Sequence, residues 1–308
     1  MMTFLKNGDG LVSIEKWEPN CWINIEAPTL KDKQYLLNEL EIPEAFYNDI
    51  EDVDERPRIE MENGWFLILL RLPYKDTISN VPYSTVPLGL VFKGNVFVSI
   101  CFHNTEMIPD FIQYTKRKKI TIIDNFDLVL KLLLSSSVWF LKYLKQINQN
   151  IKQAELKLEK SIRNEDLHTL LHIEKCLVFF TTSLKGNDIL AHRIKNLKEY
   201  RESYDIELIE DVEIELRQAQ ETTNIYSDIL SGMMDAYASV ISNNLNVIMK
   251  QLTSISIILM IPTVIASLYG MNVPNSFENN PWGFWIVGSI SLLLSMFGVF
   301  FFMRRKWF

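Results

Sequence analysis

Cysteine and histidine are scarce in this 308-residue chain, which has three of the first and four of the second. Cys21, Cys101 and Cys176 are odd in number, far apart and without CxxC spacing. That pattern argues against a disulfide framework and for reduced thiols facing the cytosol. Positive charge is not in excess: 31 Lys and Arg stand against 38 Asp and Glu, a net charge of −7. The balance argues against nucleic acid as a partner. No P-loop pattern, catalytic constellation or nucleophile motif stands out, so the chain is not read as an enzyme and no organic cofactor is expected. The first residues, 1–11, are polar and mixed in charge, with neither an apolar h-region nor an Arg-rich transit pattern. Insertion is therefore expected through the C-terminal end. There charge nearly vanishes: from Gln251 to Met303 the one charged residue is Glu278.

What is present divides by pattern. Residues 11–103 read as mixed α/β. Leu11–Trp17 and Cys21–Ile25 alternate as strands do, and Thr29 caps a helical stretch to Leu40. Pro43 opens a short helix to about Ile50. Arg58–Met61, Trp65–Leu72, Thr85–Phe92 and Val96–Phe102 are expected strands, with a hairpin turn at Lys93–Asn95. From Asn104 the pattern is helical: Asp124–Arg163, a break at Asn164–Glu165, a second helix to about Tyr200, and a third from Asp205 with no strong breaker before Pro262. A helix from Asp205 to Gly270 would be about 100 Å long at ~1.5 Å per residue, a stalk rather than a core helix. Acid is concentrated on Glu199–Glu221, with nine carboxylates against two arginines, and on the first 62 residues, with fifteen against six basic groups. Such runs are solvated faces or cation-concentrating surfaces.

Gln251–Tyr269 and Gly283–Met303 are uncharged and apolar. Each covers the roughly 30 Å hydrocarbon core, which needs about 20 helical residues. The short connection carries Pro274 and Pro281 and no Lys or Arg. Lys250 precedes the first span, and Arg304, Arg305 and Lys306 follow the second. The positive-inside rule places both termini in the cytoplasm, with Trp282, Trp285 and Trp307 at the interfaces. One face of the first span runs Asn246, Met249, Leu252, Ser256, Met260, Thr263, Ser267, Gly270. The other faces carry Ile255, Ile257, Ile258, Leu259, Ile261, Val264 and Ile265. Small and polar residues on one face suit either helix packing or a pore. Two spans cannot enclose a hole, so a pore requires several copies with the first span innermost. Met249 and Leu252 would then be hydrophobic gating rings, with a wetter outer half at Thr263 and Ser267.

The first span closes on Tyr269-Gly270-Met271-Asn272. Gly then Asn is by itself a common helix stop. Its setting, at the outer end of the first of two C-terminal spans and ahead of a basic tail, resembles the CorA magnesium transporter family, whose Gly-Met-Asn signature occupies this place. Asn244-Leu245-Asn246-Val247-Ile248-Met249-Lys250, Asp49 with Arg56-Pro57-Arg58, and Arg304-Arg305-Lys306-Trp307 are similar to stretches of that family too. The resemblance implies a funnel-shaped homopentamer in the inner (plasma) membrane of a prokaryote. Its parts would be an α/β cytoplasmic domain at 1–123, a helical hairpin at 124–204 and a stalk at 205–250. A pore-lining span at 251–271, an external loop at 272–282, a second span at 283–303 and a tail at 304–308 would follow. It implies passive influx of divalent cations, Mg²⁺ first and Co²⁺ and Ni²⁺ with it. Gly270, Met271 and Asn272 would form the selectivity entrance, and Asn246 and Met249 would lie near the inner gate.

The resemblance also implies a regulatory Mg²⁺ bound between subunits at positions matching Asp49 and Asp211, next to Asn48 and Glu210. Family carboxylates on the helix after the sheet are replaced here by Ser135-Ser136-Ser137-Val138, which weakens the expectation of closure by Mg²⁺. His168, His172 and Cys176 fall at i, i+4 and i+8 and could bind Zn²⁺, but without a fourth ligand they read as surface or packing. Two rival readings stay open: a zinc transporter of the ZntB type, possibly driven by protons, and a membrane-anchored assembly protein that transports nothing.

Overall fold

Strands and helices follow the polarity pattern closely in this computed structural model, which describes residues 2–160, 164–197, 205–271 and 280–305. The chain divides into two compact units, Met1–Gly232 and Met233–Phe308.

The first unit is built on a seven-stranded sheet. In chain order its strands are β1 Met2–Gly8, β2 Gly10–Ile14, β3 Trp22–Glu26, β4 Arg58–Glu62, β5 Trp65–Lys75, β6 Tyr83–Lys93 and β7 Val96–Cys101. Across the sheet they run β2-β1-β3-β7-β6-β5-β4. Only β3 and β7 are parallel, with Ile23 opposite Val98. The sequence pattern places the first strand at Leu11–Trp17. The structure begins one strand earlier, because Gly8-Asp9-Gly10 is a tight turn with Gly10 at φ +88°. Leu11 then lies within the return strand, β2. Alternation is muted in β1, where a single residue, Leu5, is buried.

The helices are α1 Leu30–Gln34, α2 Glu44–Glu51, α3 Met107–Lys118, α4 Asn125–Lys160, α5 Asn164–Lys195, α6 Ile206–Tyr269 and α7 Gly283–Arg304. Thr29 caps α1 reciprocally with Asp32, but the expected single helix to Leu40 gives way to a π-helical turn at Tyr35–Glu39. One core joins Leu36, Phe46, Tyr47 and Ile50 to Trp65, Leu67 and Leu69 of β5 and to Val98 and Ile100 of β7. The other face of β5 and β6 meets α4, where the Phe126 ring stands edge-on to Phe66 of β5 and Phe92 of β6. The central strands are therefore buried on both faces, which explains their near-continuous apolar runs.

Two close approaches hold these layers. Ile50 lies on Gly89 of β6, where an added Cβ would sit 2.2 Å from Ile50 Cδ1. Gly89→Ala is expected to lower stability by about 1–3 kcal/mol through overpacking, read as an earlier circular-dichroism unfolding transition. The other approach is at Asn187 of α5. β4 pairs with β5 only from Arg58, opposite Leu69. Continuing that register would set Arg56 opposite Arg71, but Pro57 intervenes and the strand has ended. Asn187 takes its place: Oδ1 accepts from the Arg71 N–H at 2.9 Å and Nδ2 donates to the Arg71 carbonyl at 2.8 Å. Since Arg71 turns both backbone groups toward α5, its partner across the sheet, Pro87, is not asked for the donor it lacks. α5 comes this close because residue 186 is glycine; a Cβ there would lie 2.8 Å from the Pro57 ring.

Candidate functional site

α6, which enters the second unit at Met233, and α7 are both long and apolar enough to cross a membrane. They meet on a definite face. A Cβ added at Gly298 of α7 would lie 3.4 Å from Ile261 Cδ1 and 3.6 Å from Ile258 Cγ1. On α6, Ser254 is buried and Ile258, Ile261 and Ile265 are half-buried. Ile258 is two residues from both Ser256 and Met260, about 200° around a helix of ~3.6 residues per turn. The contact with α7 therefore lies opposite the stripe of Met249, Leu252, Ser256, Met260, Thr263, Ser267 and Gly270.

That stripe has no partner within the chain among the described residues. Asn246, Met249, Leu252, Met260, Thr263, Ser267, Gly270 and Met271 are exposed, and Ser256 is half-buried. The flanks carry exposed apolar side chains, including Leu259, Val264 and Leu268, and one exposed hydroxyl, Thr253, whose Oγ1 donates to the Met249 carbonyl at 2.8 Å. Two hydroxyls on the stripe are tied down. Ser256 Oγ donates to the Leu252 carbonyl at 2.9 Å and Thr263 Oγ1 to the Leu259 carbonyl at 3.0 Å. Each keeps its oxygen lone pairs as acceptors, suited to the outward-pointing hydrogens of a hydrated cation. Pro262 sits inside α6 without ending it. Asn272, the last residue of the expected entrance, lies outside the described residues, as do Glu278, Lys306 and Trp307.

In the first unit, Asp49 occupies the last turn of α2 and Asp211 an exposed position on α6 next to exposed Glu210. Asp49 is not free. Its Oδ2 accepts from Arg58 Nη2 at 2.6 Å. The same guanidinium donates from Nε to Glu60 at 3.1 Å and from Nη1 to Glu55. Partial burial disfavours the charged guanidinium, but the Glu60 hydrogen bond and the charges of Glu55 and Asp49 outweigh it and raise the Arg58 pKa. Among the described residues, no three His, Cys, Asp or Glu side chains come together to hold a metal ion.

The His168, His172 and Cys176 stripe does not assemble either. Cys176 is fully buried with its Sγ toward the His172 carbonyl, while His168 is exposed. Ser136 and Ser137 are buried, each hydroxyl bonded to the Leu133 carbonyl. They pack α4 into the core and offer no surface ligand.

Comparison with known proteins decides the family. The model of the CorA-like Mg²⁺ transporter proteins matches residues 17–305. This chain belongs to the CorA-like Mg²⁺ transporter family. A relative, the cobalt/magnesium transport protein CorA of Methanocaldococcus jannaschii, is 28% identical over 261 residues, covering 83% of this chain and 81% of its own. The complete structure of the CorA magnesium transporter from that organism superposes with a TM-score of 0.83 at 24% identity, over 100% of this chain and 99% of the other. The cytoplasmic domain of ZntB from Vibrio parahaemolyticus shares the fold at 10% identity, with a TM-score of 0.62 over 79% of this chain and 98% of the other.

Within the CorA-like fold, sequence reasoning missed the triple pairing at Arg58. A signal was available: Glu55, Arg58 and Glu60 cluster around the start of an edge strand. What brings Asp49 to them is the packing of α2, which no local pattern reveals.

Proposed function

We propose that several copies of this chain, five by analogy with the family, form a channel-like transporter. It carries Mg²⁺, with Co²⁺ and Ni²⁺ as further cargo, into a prokaryotic cell across the inner (plasma) membrane. One observation carries the reading: α7 packs on the face of α6 opposite the Met249–Gly270 stripe, leaving that stripe for neighbouring copies. The apolar flanks then meet lipid or adjacent spans, and the stripe becomes a set of rings. Met249 and Leu252 are the dewetting constriction near Asn246, and Ser256, Thr263 and Ser267 supply acceptor oxygens further out. Gly270, Met271 and Asn272 form the outer entrance. Lys250 before the first span, with Arg304, Arg305 and Lys306 after the second, supports a cytoplasmic position for both termini. The gradient suffices as a driving force: two charges gain about 4.6 kcal/mol per 100 mV, at ~2.3 per charge. Gating by cytosolic Mg²⁺ would place the ion between copies, near Asp49 of one and Asp211 of its neighbour.

Cysteine accessibility tests the stripe. The native thiols make a quiet background because all three are buried. Burial pushes Cys101 up to about 12 and Cys176 up to about 11, and raises Cys21 as well. At pH 7–8 all three stay protonated and slow to react. In proteoliposomes, a charged, membrane-impermeant thiol reagent is expected to block Mg²⁺ flux through Ser267→Cys and to leave Leu259→Cys conducting. Equal block at both positions would remove the stripe from the ion path. Parallel flux measurements with Zn²⁺, with and without a proton gradient, decide the cargo. Proton-accelerated Zn²⁺ uptake without Mg²⁺ uptake would replace this reading by the zinc one.

A further inference from the structure

The geometry around Asp49 points to a role for Arg58 that metal-ligand reasoning alone does not supply. One guanidinium serves three carboxylates, Asp49, Glu55 and Glu60. The four side chains carry a net charge of −2, and none is fully buried: relative exposures are 27% for Arg58 and 31%, 25% and 42% for the three acids. Arg58 cannot drift away. Its backbone is the first rung of β4, opposite Leu69 of β5, and the rigid Pro57 precedes it. Asp49 sits on a different element, α2. Parting the two therefore breaks one of three ion pairs and leaves Arg58 still held by Glu55 and Glu60.

We propose that Arg58 is a tethered competitor for the cation at Asp49. It occupies the carboxylate while no divalent ion is present and must yield it before an ion can be held there. This rests on the reading of Asp49 as a regulatory carboxylate. A guanidinium and a metal ion need the same Oδ2 lone pairs, and the positive charge of Arg58 repels an approaching cation. The competitor thus sets the concentration at which the site responds. A single charge spread over three acids is a weak holder, so a doubly charged ion can displace it, and one that stays anchored to β4 returns as soon as the ion leaves.

The test uses the full-length protein in lipid nanodiscs, with Mg²⁺ as the probe in chelator-treated buffer. Hydrogen–deuterium exchange of peptides spanning 44–62 is followed as Mg²⁺ rises. Arg58→Gln is expected to lower the Mg²⁺ midpoint roughly five- to tenfold, the equivalent of an exposed ion pair with its charge repulsion. Arg58→Lys keeps the charge but lacks the three-way fork, so its midpoint should fall by about twofold. Exchange of β5 peptides reports whether each variant is folded, and the Lys variant carries the test if Gln is not. A midpoint that is unchanged or raised in the folded variant overturns the proposal. Asp49→Asn separates the two layers. If the wild-type response survives that change intact, Asp49 is no ligand and the regulatory reading itself falls. If Asp49→Asn abolishes the response while Arg58→Gln leaves it unmoved, the competitor role alone is lost.

Discussion

Asn272→Ala is expected to cut Mg²⁺ uptake into proteoliposomes by roughly a hundredfold while leaving assembly intact. On the proposed reading, each copy would lose one amide that hydrogen-bonds to the waters of an arriving ion. A single such bond is worth about 1 kcal/mol net, but in the proposed ring several copies would act together, and every ~1.4 kcal/mol is tenfold in rate. In the proposed ring the neutrality of the amide carries as much weight as its position. Mg²⁺ gives up its waters reluctantly, so an entrance that binds the hydrated ion passes it on faster than one that strips it. Asn272→Asp tests this point: apparent affinity should rise and maximal flux fall, because a ring of carboxylates holds a divalent ion too long. Uptake by Asn272→Ala at the wild-type rate would remove the Gly270-Met271-Asn272 segment from the selectivity entrance.

The second large effect concerns stability. Asn187 is fully buried and bridges both backbone groups of Arg71. Asn187→Leu keeps the volume but leaves an N–H and a C=O without partners inside the first unit. At about 1–3 kcal/mol for each of the two orphaned groups, the loss is roughly 2–6 kcal/mol, a large share of the stability of an ordinary domain. The first unit of the full chain should unfold at distinctly lower denaturant, as followed by circular dichroism. Ser183→Ala, nearby on the same helix, removes only a hydroxyl 2.7 Å from Thr85 Oγ1 and should cost much less. If the two variants unfold together, Asn187 does not stand in for the missing strand beside Arg71.

Features that depend on neighbours along the chain are legible in the amino-acid sequence. The apolar runs of β5 and β6, the Thr29 cap, the spans from Gln251 and Gly283, and the face carrying Thr263 and Ser267 all follow from short-range spacing. β1 escapes because it buries little and alternates weakly. The π-turn at Tyr35–Glu39 escapes because it keeps a helical apolar spacing while changing the hydrogen bonds. Asp49 is recognisable as a carboxylate of interest, yet its pairing with Arg58 depends on how α2 packs against the sheet. Asn187 offers no sign at all: its partner lies 116 residues earlier in the chain.

The amino-acid order by itself determined the two membrane spans, their orientation signals and the polar stripe, because a bilayer selects on hydrophobicity and helical periodicity alone. Only the tertiary structure decided which side of α6 receives α7, which residue finishes the sheet beyond Pro57, and which cation already sits on Asp49. Those are contacts between elements distant in sequence, set by steric fit and by the need to satisfy every buried polar group, and no local pattern encodes them.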